Sequence, residues 1–175
     1  MNKFIYLLSA ICLFSISVPS IAGPIYNGHE YQLTGSVSSW DAAEAAAVAL
    51  GGHLVAINDL FEQAFLTTNF AGQLLWIGLN DVVVEGTYVW SNGDTFSYEN
   101  FAANEPNNTG PLSEDYFVMN WNAPGNWNDC YNIDNCGSEF GFMGIIETTV
   151  PEPSALALFG LGLAGMGLMR RKRKV

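Results

Sequence analysis

The chain has 175 residues, 17 acids against 6 bases, and a formal net charge of −11 at neutral pH. Every base lies at an end: Lys3, and Arg170 to Lys174, so residues 23–149 hold 16 acids with no lysine or arginine. That balance excludes nucleic acid as a partner, because phosphates are neutralised by Lys and Arg, and it makes bound metal the natural counter-charge wherever acids converge.

In chain order, Lys3 precedes a short apolar run that ends at Ser20-Ile21-Ala22, the pattern of a secretory signal peptide with cleavage after Ala22. Residues 23–149 are long enough for one domain with a real core. Residues 26–33 read as a first strand. Ser38 is expected to cap a helix, with Asp41 completing a capping box and Gly51-Gly52 ending it. Residues 53–57 form a short strand. Asn58 or Asp59 then caps a second helix with Glu62 in its first turn and Phe61, Phe65 and Leu66 inward. Residues 74–79 form a buried strand, and further strands fall at 88–90, 116–120 and 142–147. Long loops rich in Asn, Gly and Pro separate them, and such loops in a compact domain imply a use. The fold class is α+β.

Three clusters carry the chemistry: Glu105-Pro106-Asn107, Glu114-Asp115 and Trp127-Asn128-Asp129. Each offers side-chain oxygen in a loop, the donor type that calcium takes six to eight at a time. A cis peptide at Glu105-Pro106 would point Glu105 and Asn107 at one spot. Glu114-Asp115 alone reads as a solvated loop; the combined set reads as a calcium site. Trp76, Trp90 and Trp127 are expected in the core or as loop anchors, Trp121 as a candidate for stacking on sugar, and His29 and His53 as structural. No Ser or Cys nucleophile has a histidine partner, and no His-Glu-x-x-His motif is present, so the chain is read as a non-enzyme. Asn107-Asn108-Thr109 fits a glycosylation sequon, but a glycan on Asn107 would block the metal.

Residues 31–147 resemble a C-type lectin domain through the early helices, Trp76-Ile77-Gly78-Leu79, Glu105-Pro106-Asn107, Trp127-Asn128-Asp129 and a last strand ending at Glu147. The resemblance implies a C-type lectin-like fold, with two helices, small antiparallel sheets and a long calcium-binding loop region. It implies a principal calcium held by Glu105, Asn107, Glu114, Asn128 and Asp129, with two sugar hydroxyls completing the shell, and a bias to mannose-like sugars. It also implies an auxiliary calcium at Asp81, Glu85, Asn108 and Glu114, weakened because Asn108 stands where aspartate is more usual. The family's cysteines are absent at Tyr116 and Ile146; Cys130 and Cys136 are expected to form one local disulfide in an oxidising compartment.

Val150-Pro151-Glu152-Pro153, the apolar run 154–169 and the basic end resemble a PEP-CTERM sorting signal. Its 16 apolar residues would span roughly 24 Å as a helix against a hydrocarbon core of about 30 Å, with the basic cluster on the cytoplasmic side. The resemblance implies an exosortase as processing partner, transient membrane anchoring over 150–175, and delivery to the cell surface or an exopolysaccharide matrix. The functional expectation is an exported calcium-dependent carbohydrate-binding protein. The alternative is a protein-binding or structural matrix module of the same fold, since fold alone does not fix function.

Overall fold

The structure is a computed structural model that describes residues 23–109, 112–132 and 141–150. The expected signal peptide, Cys136 and the C-terminal apolar run lie outside these residues; among those described, no helix is long and apolar enough to cross a membrane. Among the described residues two helices, α1 (Trp40–Ala49) and α2 (Leu60–Asn69), accompany eight strands: β1 (Ile25–Tyr26), β2 (His29–Leu33), β3 (His53–Leu54), β4 (Leu75–Asn80), β5 (Val89–Trp90), β6 (Tyr116–Met119), β7 (Trp127–Cys130) and β8 (Met143–Thr149). The strands run in the order β1-β2-β8-β4-β6-β7, with β3 on β8 and β5 on β4. All pairings are antiparallel except β4 with β8, which is parallel. The sheet is therefore mixed rather than wholly antiparallel.

Local chemistry moves several expected boundaries. The strand expected at 26–33 is a hairpin, because Asn27 and Gly28 both take positive φ, 48° and 85°, as a two-residue turn between antiparallel strands requires. Ser39, not Ser38, caps α1: its side chain accepts from the Ala42 amide. Asp41 closes no capping box and instead bonds Asn132. Gly51 takes the left-handed φ of 86° expected after the helix. Asp59 caps α2, accepting from the amides of Phe61 and Glu62. The expected inner face of α2 is wrong at Phe61, which is 73% exposed, while Glu62, Gln63 and Leu66 are buried. Polar residues can face inward there because each finds a partner: the Tyr31 hydroxyl donates to Glu62, and the Trp127 indole donates to Gln63 at 2.8 Å.

The central strand β4 is buried on both faces. Leu75, Ile77 and Leu79 join Val55, Leu66, Phe117, Trp127 and Ile145 in one apolar cluster. Trp76 points the other way, into a second cluster with Trp40, Leu54, Val118 and Phe142. The period-2 alternation of a strand produces this split. At Gly78 any Cβ would lie 2.6 Å from the Leu54 carbonyl oxygen, so only glycine lets the chain before β4 approach this closely. The β4–β6 register shifts between Trp76 and Asn80. The Trp40 indole N–H donates to the Ile77 carbonyl in that interval at 2.7 Å, pinning α1 to the sheet. The result is a packed platform from which β6, β7 and the segments 91–109 and 112–115 project the polar residues.

Candidate functional site

Asn128 and Asp129 lie within β7, not in a loop as their composition suggested. Strand β7 pairs with β6 through Phe117↔Asp129 and Val118↔Asn128, while a parallel bridge joins Phe101 to Trp127. Trp127 anchors the strand, fully buried among Trp90, Tyr98 and Phe101. A hydrophobic anchor next to two polar residues thus fixes where the latter sit: Asn128 is 5% exposed and Asp129 2%.

The Glu105-Pro106 peptide is cis, as expected, and the loop it opens is drawn onto β7. The Asp129 carboxylate accepts from the Asn107 amide at 3.2 and 3.1 Å and from the Asn108 amide at 2.7 Å. The Asn107 side-chain amide donates to the Glu105 carboxylate. The Thr109 amide donates to the Glu114 carboxylate at 2.7 Å and to the Asn107 side-chain oxygen at 3.0 Å. The structure therefore brings Glu105, Asn107, Glu114 and Asp129 into one hydrogen-bonded neighbourhood, with Asn128 adjacent on the strand. Sequence reasoning missed one further contact: the Tyr131 hydroxyl donates to the Thr109 carbonyl at 2.8 Å.

The electrostatics are those of acids drawn close together. The Glu105 carboxyl is raised above the ordinary range by burial and then by Asp129. Glu114 is raised by burial, then by Asp129 and Glu105. Asp81 is pushed up to about 6, chiefly by burial, with Glu85, Asp115 and Asp129 adding to it. Asp115 contributes from the sequence-flagged pair in a way that composition did not reveal, its carbonyl also accepting from the Asp81 amide at 3.1 Å.

Among the described residues, two buried acceptors have no hydrogen-bond donor, Asn128 Oδ1 and Asp81 Oδ1. A buried oxygen left in this state is costly, and a hard cation is one partner that would satisfy it. The donor set fits calcium by its chemistry, all oxygens from carboxylates and amides. Carboxylates alone do not make the site: among the described residues no group of three His, Cys, Asp or Glu side chains is placed to hold a metal ion. Any ion here would thus depend on the amide oxygens of Asn107 and Asn128.

The residues expected at the auxiliary site are bridged differently. The Asn108 side-chain amide donates to Glu85 at 2.5 Å and its oxygen accepts from the Glu114 amide at 2.9 Å. Asp81 turns one carboxylate oxygen to the Gly86 amide at 2.8 Å. An amide thus occupies the bridging role between Glu85 and Glu114.

Trp121 is half-buried, packs against the second apolar cluster and lies beside the Glu105 carboxyl. His29 pairs with Glu147 at 2.7 Å and His53 with Glu44 at 2.6 Å, which fits structural roles. Cys130 is disulfide-bonded; Cys136 lies outside the described residues.

A family model for the Lectin C-type domain matches residues 36–143, and one for the PEP-CTERM protein-sorting motif matches residues 149–174. Lectin BRA-3 of Megabalanus rosa is 34% identical over 121 residues, covering 67% of this chain and 71% of that protein. C-type mannose receptor 2 of Homo sapiens is 35% identical over 106 residues, which are 59% of this chain and 7% of the receptor. This chain thus corresponds to a small part of that relative. Among solved structures, the cow C-type carbohydrate-recognition domain of CD23, in the presence of GlcNAc2Man3 oligosaccharide, aligns with a TM-score of 0.64 and 29% identity. The alignment covers 75% of this chain and 96% of that one. A calcium-independent type II antifreeze protein aligns with a TM-score of 0.62 at 23% identity, covering 75% and 95% of the two chains, a likeness of fold alone.

Proposed function

Because the chain belongs to the C-type lectin domain family, we propose that it binds carbohydrate through a calcium ion held by Glu105, Asn107, Glu114, Asn128 and Asp129. The observation that carries this reading is the lacing of the 105–109 loop onto β7 by the Asp129 carboxylate, beside a buried Asn128 oxygen that lacks a donor. In this arrangement Asp129 raises the proton affinity of Glu105 and Glu114, and a divalent cation would relieve that repulsion. Calcium would supply open coordination positions for two neighbouring sugar hydroxyls. The protein's part is to hold the ligands in advance, so that less entropy is lost when sugar arrives. Carboxylate oxygens of Glu105 and Glu114 accept from hydroxyls, and the amides of Asn107 and Asn128 donate to them, fixing orientation. The Glu105-Pro106-Asn107 sequence supports a mannose-like sugar with adjacent equatorial hydroxyls. The Asn108 bridge between Glu85 and Glu114 supports one ion rather than two.

The chain carries a PEP-CTERM sorting motif, which implies export and surface delivery. Processing by an exosortase, transient anchoring through residues 154–169, a Cys130–Cys136 disulfide and action in an exopolysaccharide matrix belong to the same proposal. The deciding experiment is binding to immobilised mannose and to a glycan array, with and without EDTA. Retention that requires calcium supports the lectin reading. Binding to protein that ignores calcium would select the alternative of a non-sugar module.

A further inference from the structure

We infer that Tyr131 is a positioning residue of this site, clamping the ligand-bearing loop to the end of β7 through an atom that calcium does not use. The inference rests on the calcium reading above. The loop at 104–109 is not in a relaxed conformation: Asn104 and Asn108 both take positive φ, 69° and 45°. Such backbone is kept only where surrounding contacts hold it.

Those contacts fall into two kinds. The amides of Asn107 and Asn108 bond the Asp129 carboxylate, and the Thr109 amide bonds Glu114 Oε2 and Asn107 Oδ1. Every acceptor in that group is an oxygen that the ion would also draw on. Outside that group the Asn108 side chain bonds Glu85 and the Glu114 amide, and at the end of the loop one further contact also stands apart from the ligands. The Tyr131 hydroxyl donates to the Thr109 carbonyl at 2.8 Å, and neither atom belongs to the proposed ligand set.

Asp129 and Tyr131 stand two residues apart on the same stretch of chain, so both reach the one loop. Asp129 is fixed by its pairing with Phe117, and Cys130 between them by its pairing with Tyr116. Were an ion to draw on Glu114 and Asn107, the Thr109 amide would share their oxygens, whereas the Tyr131 bond uses neither of them. Tyr131 therefore holds the far end of the loop in both the calcium-free and the calcium-bound states, and lowers the ordering cost of ion binding.

The test compares the full chain with its Y131F variant, which keeps the ring and removes only the hydroxyl. One lost neutral hydrogen bond is expected to weaken calcium binding about 5-fold by calorimetry. Mannose affinity at saturating calcium should stay unchanged, because the filled coordination shell restores the loop. In EDTA, amide hydrogen exchange at 107–109 should quicken while the thermal midpoint holds, which a mere packing role of the ring would not produce. Equal calcium affinity in the two proteins, or unchanged exchange at 107–109, overturns the role of Tyr131. A wild-type chain that takes up no calcium overturns the calcium reading itself, and the two failures are thereby told apart.

Discussion

Asp129→Asn separates the two jobs assigned to this carboxylate, structural acceptor and calcium ligand. In the folded chain Asp129 is 2% exposed and accepts from the amides of Asn107 and Asn108, the latter at 2.7 Å. Asparagine keeps one acceptor oxygen and places an NH2 group where the second stood. A hydrogen bond to a charged group contributes about 1.5–3 kcal/mol, so roughly that much is lost with one bond. Opposing this, the variant removes a charge that raises the carboxyl pKa of Glu105, Glu114 and Asp81, and the relief of that repulsion offsets part of the loss. The net destabilisation in EDTA is then at the low end of that range, about 1–2 kcal/mol. The calcium term is larger. At an ion concentration of about 100 Kd the wild type gains about 2.7 kcal/mol, which is roughly a 10 °C rise in midpoint for a domain of this size. The variant should gain almost none of it. Thermal unfolding of both proteins in EDTA and in calcium reads both terms at once. A variant that keeps the full calcium-dependent rise refutes the assignment of Asp129 as a ligand.

Asn108→Asp should add a second calcium, because it replaces the amide bridge to Glu85 with a charge; calorimetric stoichiometry should rise from one to two, and a constant value of one counts against the bridging argument. Calcium affinity should weaken by more than tenfold between pH 7 and pH 4, as Glu105 and Glu114, both raised above the ordinary range, take up protons that the ion must displace; titrations at the two pH values check this. The calcium-free chain should behave in the opposite sense. Glu147 is pushed up to about 7 by burial and by Glu62, and Glu62 is itself raised by burial. The folded state therefore holds these protons where the unfolded state releases them, and stability in EDTA should fall as pH rises from about 4.5 through 7. A midpoint that climbs steadily over that window contradicts the buried-carboxyl account. Gln63→Leu should cost about 1–3 kcal/mol by orphaning the buried Trp127 indole, measured by urea unfolding.

Much of the fold was legible because its signals are local. The helices announced themselves through caps and apolar spacing, and Gly51 ended α1 for a reason that one residue carries. The errors lay where local signal and packing part company. Phe61 looked like a core residue, yet α2 turns Glu62 and Gln63 inward because Tyr31 and Trp127, distant in sequence, supply partners. Trp127-Asn128-Asp129 looked like loop, yet pairing with β6 makes it strand. The Asn27-Gly28 turn was available in the sequence and was read through.

The sequence by itself determined which acids and amides are on offer as oxygen donors, the lack of any Lys or Arg within 23–149 to neutralise them, and the PEP-CTERM motif at 149–174. Side-chain chemistry and local motifs carry that information without reference to distance. Only the tertiary structure decided that Asp129 is the point onto which the 105–109 loop closes, that Asn108 bridges Glu85 and Glu114, and that Tyr131 reaches Thr109. Apart from Asn108–Glu114, which are six apart, these contacts join residues 20 or more positions apart, where proximity is set by strand register and core packing rather than by anything written near the residues themselves.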